Sequence, residues 1–205
     1  MKIQLTKAGK RFNREWIFRN ADIQFLSGES YAITGANGSG KSTLLQVLSG
    51  SMAISEGRVD WILHEKLIDP ELVFRNLTIS APYIELIEEM TATEFLNFHQ
   101  LFKPFISGVS TKEIISIIGL EKAASKQIRY FSSGMKQRMK LAQAIFSDVP
   151  LLLLDEPCTN FDTSGFELYN HLMTTYAQNK TVIISSNDVH EYSFCKHIIS
   201  ILDFK

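Results

Sequence analysis

The sequence predicts an α/β fold: a mainly parallel sheet flanked by helices, with an antiparallel β element ahead of it and a helical subdomain inserted into it. Three observations carry this. Tyr31-Ala32-Ile33, Val149 to Leu154 and Val182-Ile183-Ile184 are short apolar runs without polar alternation, the pattern of strands buried on both faces. Helical patterns lie between these runs, as parallel strand connections require. The nine residues Gly35-Ala36-Asn37-Gly38-Ser39-Gly40-Lys41-Ser42-Thr43 join the first run to a helical pattern through a glycine-rich loop.

Lys2 to Thr6 alternates polar and apolar like an edge strand, and Trp16-Ile17-Phe18 and Ala21 to Phe25 are two more strand-like runs before the Ser27-Gly28 turn. Ser30 to Thr34 is a buried strand. The loop after it fits the G-x-x-x-x-G-K-[ST] template of phosphate-binding loops, in the strand, loop, helix order that the template demands. Small residues let backbone N–H groups close around phosphate oxygens, and the helix starting near Lys41 aims its positive end at them. Lys41 then brings a point charge to the β- and γ-phosphates, and the Ser42 hydroxyl can ligate Mg²⁺. That helix ends at Ser49-Gly50.

Phe12 stands in the basic stretch Lys10-Arg11-Phe12-Asn13-Arg14, where a core role is awkward; its ring is a surface packing element or a face for a purine. Gly57 to Ile62, Leu72-Val73-Phe74 and Leu77-Thr78-Ile79 read as strands. From Thr91 to about Lys126 the pattern is helical, with a break at Pro104 and Gly108. His99 has no second metal donor at ligand spacing and reads as a helix residue. Phe131-Ser132-Ser133-Gly134-Met135 opens a further helix, with Met135, Met139, Ala142 and Ile145 on one face and Lys136, Arg138 and Lys140 away from it. One serine there is explained by capping. Two serines, a glycine and an exposed helix N-terminus together suit a second phosphate site.

Val149 to Leu154 delivers Asp155-Glu156 to a strand's carboxyl end, where ligands bind in open α/β sheets. Asp155 suits Mg²⁺, and Glu156 suits a proton from an attacking water. Thr159 to Asp162 is a turn, Ser164 to Tyr176 a helix, Thr181 to Ser185 a buried strand followed by Ser186-Asn187-Asp188, and Ile198 to Leu202 a last strand.

At 205 residues and 45% hydrophobic content the chain can bury a full core as one domain. Its net charge of −1 gives no general attraction to nucleic acid or anionic lipid. Cys158 and Cys195 have neither metal-ligand spacing nor the density of a secreted scaffold. The first residues lack the apolar core of a signal peptide, and the longest apolar run is too short to span a bilayer. The expectation is a soluble cytoplasmic protein, able to sit on a membrane protein.

With Gly35 to Thr43, Ser132 to Gly134, Leu151 to Glu156, Asn160 to Asp162 and Ser186-Asn187-Asp188 placed, the chain resembles the ATP-binding subunit of an ABC transporter over essentially its whole length. The resemblance implies a P-loop NTPase fold of ABC type as one ATP-binding domain, with residues 1–90 and 140–205 forming the RecA-like core and its antiparallel element, and about 91–139 the helical signature subdomain. It identifies Gly35 to Thr43 as Walker A, Asp155 and Glu156 as the Walker B metal residue and catalytic carboxylate, Phe12 as the adenine-stacking position and Asp162 as the D-loop aspartate. ATP and Mg²⁺ are the implied cofactors. It further implies a dimer with a second cassette, as homodimer or heterodimer, in which Ser132 and Gly134 of one copy reach the ATP held by Walker A of the other. A multi-span membrane permease is the implied partner, which puts the chain on the inner face of the cell membrane.

The chain departs from the family pattern at three places. Pro82 stands in the slot of the glutamine between the two subdomains, Asn187 replaces the switch histidine, and Ser133 and Met135 replace a glycine and a glutamine of the signature. Proline has no side-chain oxygen for Mg²⁺ or water, and an asparagine cannot change charge. ATP binding should survive these changes better than turnover. The alternative to a transport ATPase is a nucleotide-gated binding switch or adaptor with very slow hydrolysis.

Overall fold

The computed structural model describes residues 1–205. The chain divides into two compact units, each assembled from separate stretches: Met1–Ile79, Pro150–Glu156 and Asn179–Lys205 in the first, Ser80–Val149 and Pro157–Gln178 in the second. The second is broader than the helical stretch 91–139 read from the sequence.

The first unit holds two sheets. One is antiparallel, in the order β2-β1-β4-β5, from β1 (Lys2–Phe12), β2 (Glu15–Phe25), β4 (Glu56–Leu63) and β5 (Lys66–Ile68). The expected three short N-terminal strands are two long ones. Irregular register near Lys7, whose φ is 46°, interrupts the alternation without ending the strand, as a bulge does. The other sheet runs β6-β7-β8-β3-β9, from β6 (Leu77–Ser80), β7 (Leu151–Asp155), β8 (Thr181–Ser185), β3 (Ser30–Thr34) and β9 (His197–Ser200). β7 with β8, β8 with β3 and β3 with β9 pair in parallel. β7 and β8 are buried at every position, which explains their unbroken apolar runs. α1 (Lys41–Leu48) packs Leu44, Leu45, Val47 and Leu48 into the same core as Tyr31, Ile33, Leu151, Leu153 and Ile183. The short α6 (Val189–Tyr192) follows β8.

Two expected strands are different. Leu72-Val73-Phe74 lies in a 3₁₀ helix, Pro70–Asn76, because Asp69 caps it by accepting from Glu71 N–H and Pro70 sets its first turn. The last strand stops at Ser200, and Ile201–Phe204 forms another 3₁₀ turn, with Ser200 Oγ accepting from Leu202 N–H at 3.2 Å.

The second unit is helical: α2 (Ala92–His99), α3 (Thr111–Ile117), α4 (Ser133–Phe146) and α5 (Thr163–Tyr176). Its interior includes Leu96, Ile114, Ile118, Met139, Ile145, Phe146 and Leu172, all fully buried. His99 is a helix residue, as expected, with Nε2 2.8 Å from Ser147 Oγ. No helix of the chain is long and apolar enough to cross a membrane. Neither cysteine forms a disulfide.

Candidate functional site

The glycine loop takes its shape from backbone conformations that other residues reach only under strain. Gly40 caps α1 with φ 101°, and a Cβ there would lie 2.2 Å from Ile17 Cγ2. The loop therefore rests directly on β2. Lys41, 5% exposed, donates from Nζ to Gly35 O at 2.9 Å and to Ala36 O at 3.4 Å, so its ammonium stays inside the curve of the loop. Ser39 is buried with an Oγ that meets no partner.

A cleft of about 230 Å³ in the first unit brings Asn37, Gly38, Gly40, Lys41, Ser42 and Thr43 together with Glu156, and Ile17 forms part of its wall. Glu156 follows β7 with φ 43°, and its N–H donates to Ser185 O at 2.8 Å. The turn carries its side chain off the line of the strand to the cleft. Asp155, at the end of β7, is 3% exposed, and its Oδ1 is buried with no hydrogen-bond partner. A buried carboxylate oxygen without a donor is costly. Hard oxygen donors from Asp155 and Ser42 fit Mg²⁺, which answers that cost. Asn187, in the turn after β8, donates from Nδ2 to Asn37 Oδ1 at 2.6 Å, so that turn touches the glycine loop.

Phe12 is not among the residues lining this cleft. It stands at the end of β1, 45% exposed, with Lys10 Nζ 5.0 Å from its ring centre. Pro82 belongs to the second unit, where its carbonyl accepts from Lys140 Nζ at 3.0 Å.

Ser132 and Gly134 line a separate cleft of about 650 Å³ within the second unit, with Asn160, Phe161 and Asp162 on its other edge. Ser132 caps α4, its Oγ accepting from Met135 N–H at 3.3 Å. A Cβ on Gly134 would meet only Asn160 O, at 3.7 Å, so α4 starts with an uncrowded face. Asp162 caps α5 through Gly165 N–H at 2.9 Å; that bond and the Ser164 hydroxyl hold its carboxyl below the usual carboxylate range.

A family model described as "ABC transporter" matches residues 18–159. The chain belongs to that family. This ABC cassette is 33% identical over 149 residues to the cytochrome c biogenesis ATP-binding export protein CcmA of Xylella fastidiosa, an overlap covering 73% of this chain and 66% of that one. It is 31% identical over 186 residues to the uncharacterised ABC transporter ATP-binding protein YybJ of Bacillus subtilis, covering 90% and 85%. It spans 61% of another Bacillus subtilis relative, the uncharacterised ABC transporter ATP-binding protein YxlF. Among solved structures, a bacterial ABC transporter cassette in dimeric form superposes with a TM-score of 0.79 at 25% identity, covering 97% of this chain and 93% of that one. A putative ABC transporter ATP-binding protein from Pyrococcus furiosus superposes with a TM-score of 0.82 at 19% identity over the whole of both chains, which bears on the fold.

Ile17 and Ser185 escape motif reading, whereas Ser39 lies inside the glycine-rich motif. Ser185 Oγ, like Ser39 Oγ, is buried without a partner. The alternation of β2 is the one signal that could have pointed to Ile17; Ser185 is an ordinary serine until the fold buries it.

Proposed function

We propose that this cassette binds and hydrolyses ATP with Mg²⁺ and couples ATP-driven pairing with a second cassette to a multi-span membrane permease. The observation that carries the proposal is the meeting of Lys41, Ser42 and Glu156 in one cleft. In this reading the N–H groups at the head of α1 and the Lys41 ammonium hold the β- and γ-phosphates. Ser42 and Asp155 hold Mg²⁺, which supplies neutralising charge to the phosphate oxygens when bound. Glu156 accepts a proton from the water whose oxygen bonds to the γ-phosphorus as the bond to ADP breaks. Asn187 donates to the γ-phosphate from the switch position. Ser132 and Gly134 offer the N-terminal end of α4 to the ATP of the second cassette, and Phe12 offers its exposed ring to adenine. The relatives are ABC ATP-binding proteins, and one solved neighbour is a dimer, which supports this reading.

Glu156→Gln tests the base. Hydrolysis should fall by roughly 10²- to 10⁴-fold while the protein still binds radiolabelled ATP; unchanged turnover would mean that another group takes the proton.

The second reading, a nucleotide-gated switch with very slow turnover, is favoured by Asn187, which supplies no titrating group, and by Pro82, which supplies no side-chain oxygen. Asn187→His distinguishes the two. If the missing imidazole limits the rate, kcat rises by about tenfold or more with little change in ATP affinity. A flat kcat would place the limit elsewhere.

A further inference from the structure

The cleft beside Ser132 is not built by the start of α4 alone. Of the basic residues on this helix, Lys136 pairs with Glu88 and Lys140 reaches the carbonyls of Ala81 and Pro82, whereas Arg138 lines the cleft. Its guanidinium is divided between two elements: Nη1 donates to Ile118 O at 3.1 Å and Nη2 to Ser164 Oγ at 3.2 Å. Ile118 caps the end of α3, where carbonyls lack helical partners. Ser164 Oγ donates a hydrogen bond to Asp162 Oδ1 at 2.9 Å, and that Oδ1 also accepts from Gly165 N–H. The backbone makes room for the fork at Gly119, where φ is +69° and a Cβ would come within 3.2 Å of Nη1. One planar cation thus joins the end of α3, the body of α4 and the turn that carries Asn160 to Asp162.

A solvated surface arginine needs none of these partners. A purely stabilising one has no reason to reach Asp162 through a hydroxyl. We propose that Arg138 is a positioning residue: acting through Ser164, it sets the Asn160–Asp162 turn relative to the Ser132 end of α4, so that the two edges of the cleft meet a second cassette together. The physical requirement is strict, because a helix end acts on an anion only within its first turn and small misplacements of binding groups are expensive. This inference rests on the proposed role of Ser132 and Gly134 in trans.

The test uses the full chain carrying Glu156→Gln, which separates ATP-dependent pairing from turnover. Dimerisation is followed by sedimentation with saturating Mg-ATP, and ATP binding to the monomer is measured at protein concentrations too low for pairing. Ser164→Ala cuts the relay to Asp162 and leaves the bond from Arg138 to Ile118. Arg138→Lys keeps the charge and loses the planar fork. Each should weaken dimerisation by roughly tenfold, the loss expected for one hydrogen bond to a charged group. ATP binding to the monomer should stay within about twofold, and the double variant should be little worse than Arg138→Lys alone, because the two residues act in series. Unchanged dimerisation, or an equal loss of monomer ATP affinity, overturns the inference. Should Arg138→Lys fail to fold, Ser164→Ala decides by itself. A Glu156→Gln parent that stays monomeric overturns the trans reading and this inference with it; a parent that dimerises beside variants that dimerise equally overturns the inference alone.

Discussion

At the scale of single residues, Glu156 shows how a catalytic candidate is aimed. Its φ of 43° belongs to the left-handed region, which costs a non-glycine residue about 1–2 kcal/mol. The hydrogen bond from its N–H to Ser185 O holds the conformation, and the result is a carboxylate in the same cleft as Lys41. The Asp155-Glu156 pair was legible in sequence because acids rarely follow a buried apolar run without use. The turn that separates their directions was not, since it depends on β8 lying beside β7. His99 carries a different consequence. Burial, helped by the charge of Lys103, pushes its imidazole down to about 4 from an ordinary 6.5. The unfolded chain therefore takes up the proton first as pH falls. Stability is fully present above pH 6.5 and is lost as pH falls from 6.5 toward 4. After discounting for the solvent that still reaches the ring, the loss by pH 5 should be about 1 kcal/mol. Urea midpoints at pH 7 and pH 5 for wild type and His99→Gln check this; equal slopes in the two proteins would show that the ring is not held neutral.

At the scale of elements, local chemistry and long-range pairing divide the work. Thr91 with Glu94 and Ser110 with Glu113 form complete capping boxes at the starts of α2 and α3, and both follow the spacing readable in the sequence. Thr91→Ala should cost about 1 kcal/mol in thermal or urea unfolding and leave ATP affinity alone, because the cap belongs to the helical unit and the glycine loop does not. A fall in affinity equal to the loss of stability would tie the two units more closely than this. Elements depart from the hydrophobic pattern where a short local signal outweighs it. Asp69-Pro70 turns the apolar Leu72-Val73-Phe74 into a 3₁₀ helix, and the irregular register near Lys7 lets β1 continue where its alternation fails. Gly57 is part of that irregularity, since a Cβ there would lie 2.2 Å from Lys7 O. Neither outcome follows from propensity, because each depends on a partner segment or on a cap that competes with it.

At the scale of the whole molecule, both units are discontinuous in sequence. In the main sheet β3 lies between β8 and β9, and β7 between β6 and β8, so residues 1–79 carry strands whose neighbours arrive only after residue 150. A fragment of residues 1–79 should remain largely unfolded, with circular dichroism lacking the cooperative melt of the full chain; a cooperative melt would mean that the antiparallel sheet and α1 suffice. The sequence by itself determined the glycine loop and its helix, the acid pair at the end of a buried strand, the serine cap of α4, and the family. These are local patterns, each legible within a dozen residues because backbone geometry and phosphate chemistry demand particular residues at particular spacings. The tertiary structure alone decided that Ile17 supports the loop, that Asn187 touches Asn37, that Asp155 Oδ1 is left without a donor, and that Arg138 reaches Ser164. Those contacts join residues distant in the chain, and their free energy depends on burial and orientation, which a run of neighbouring residues does not specify.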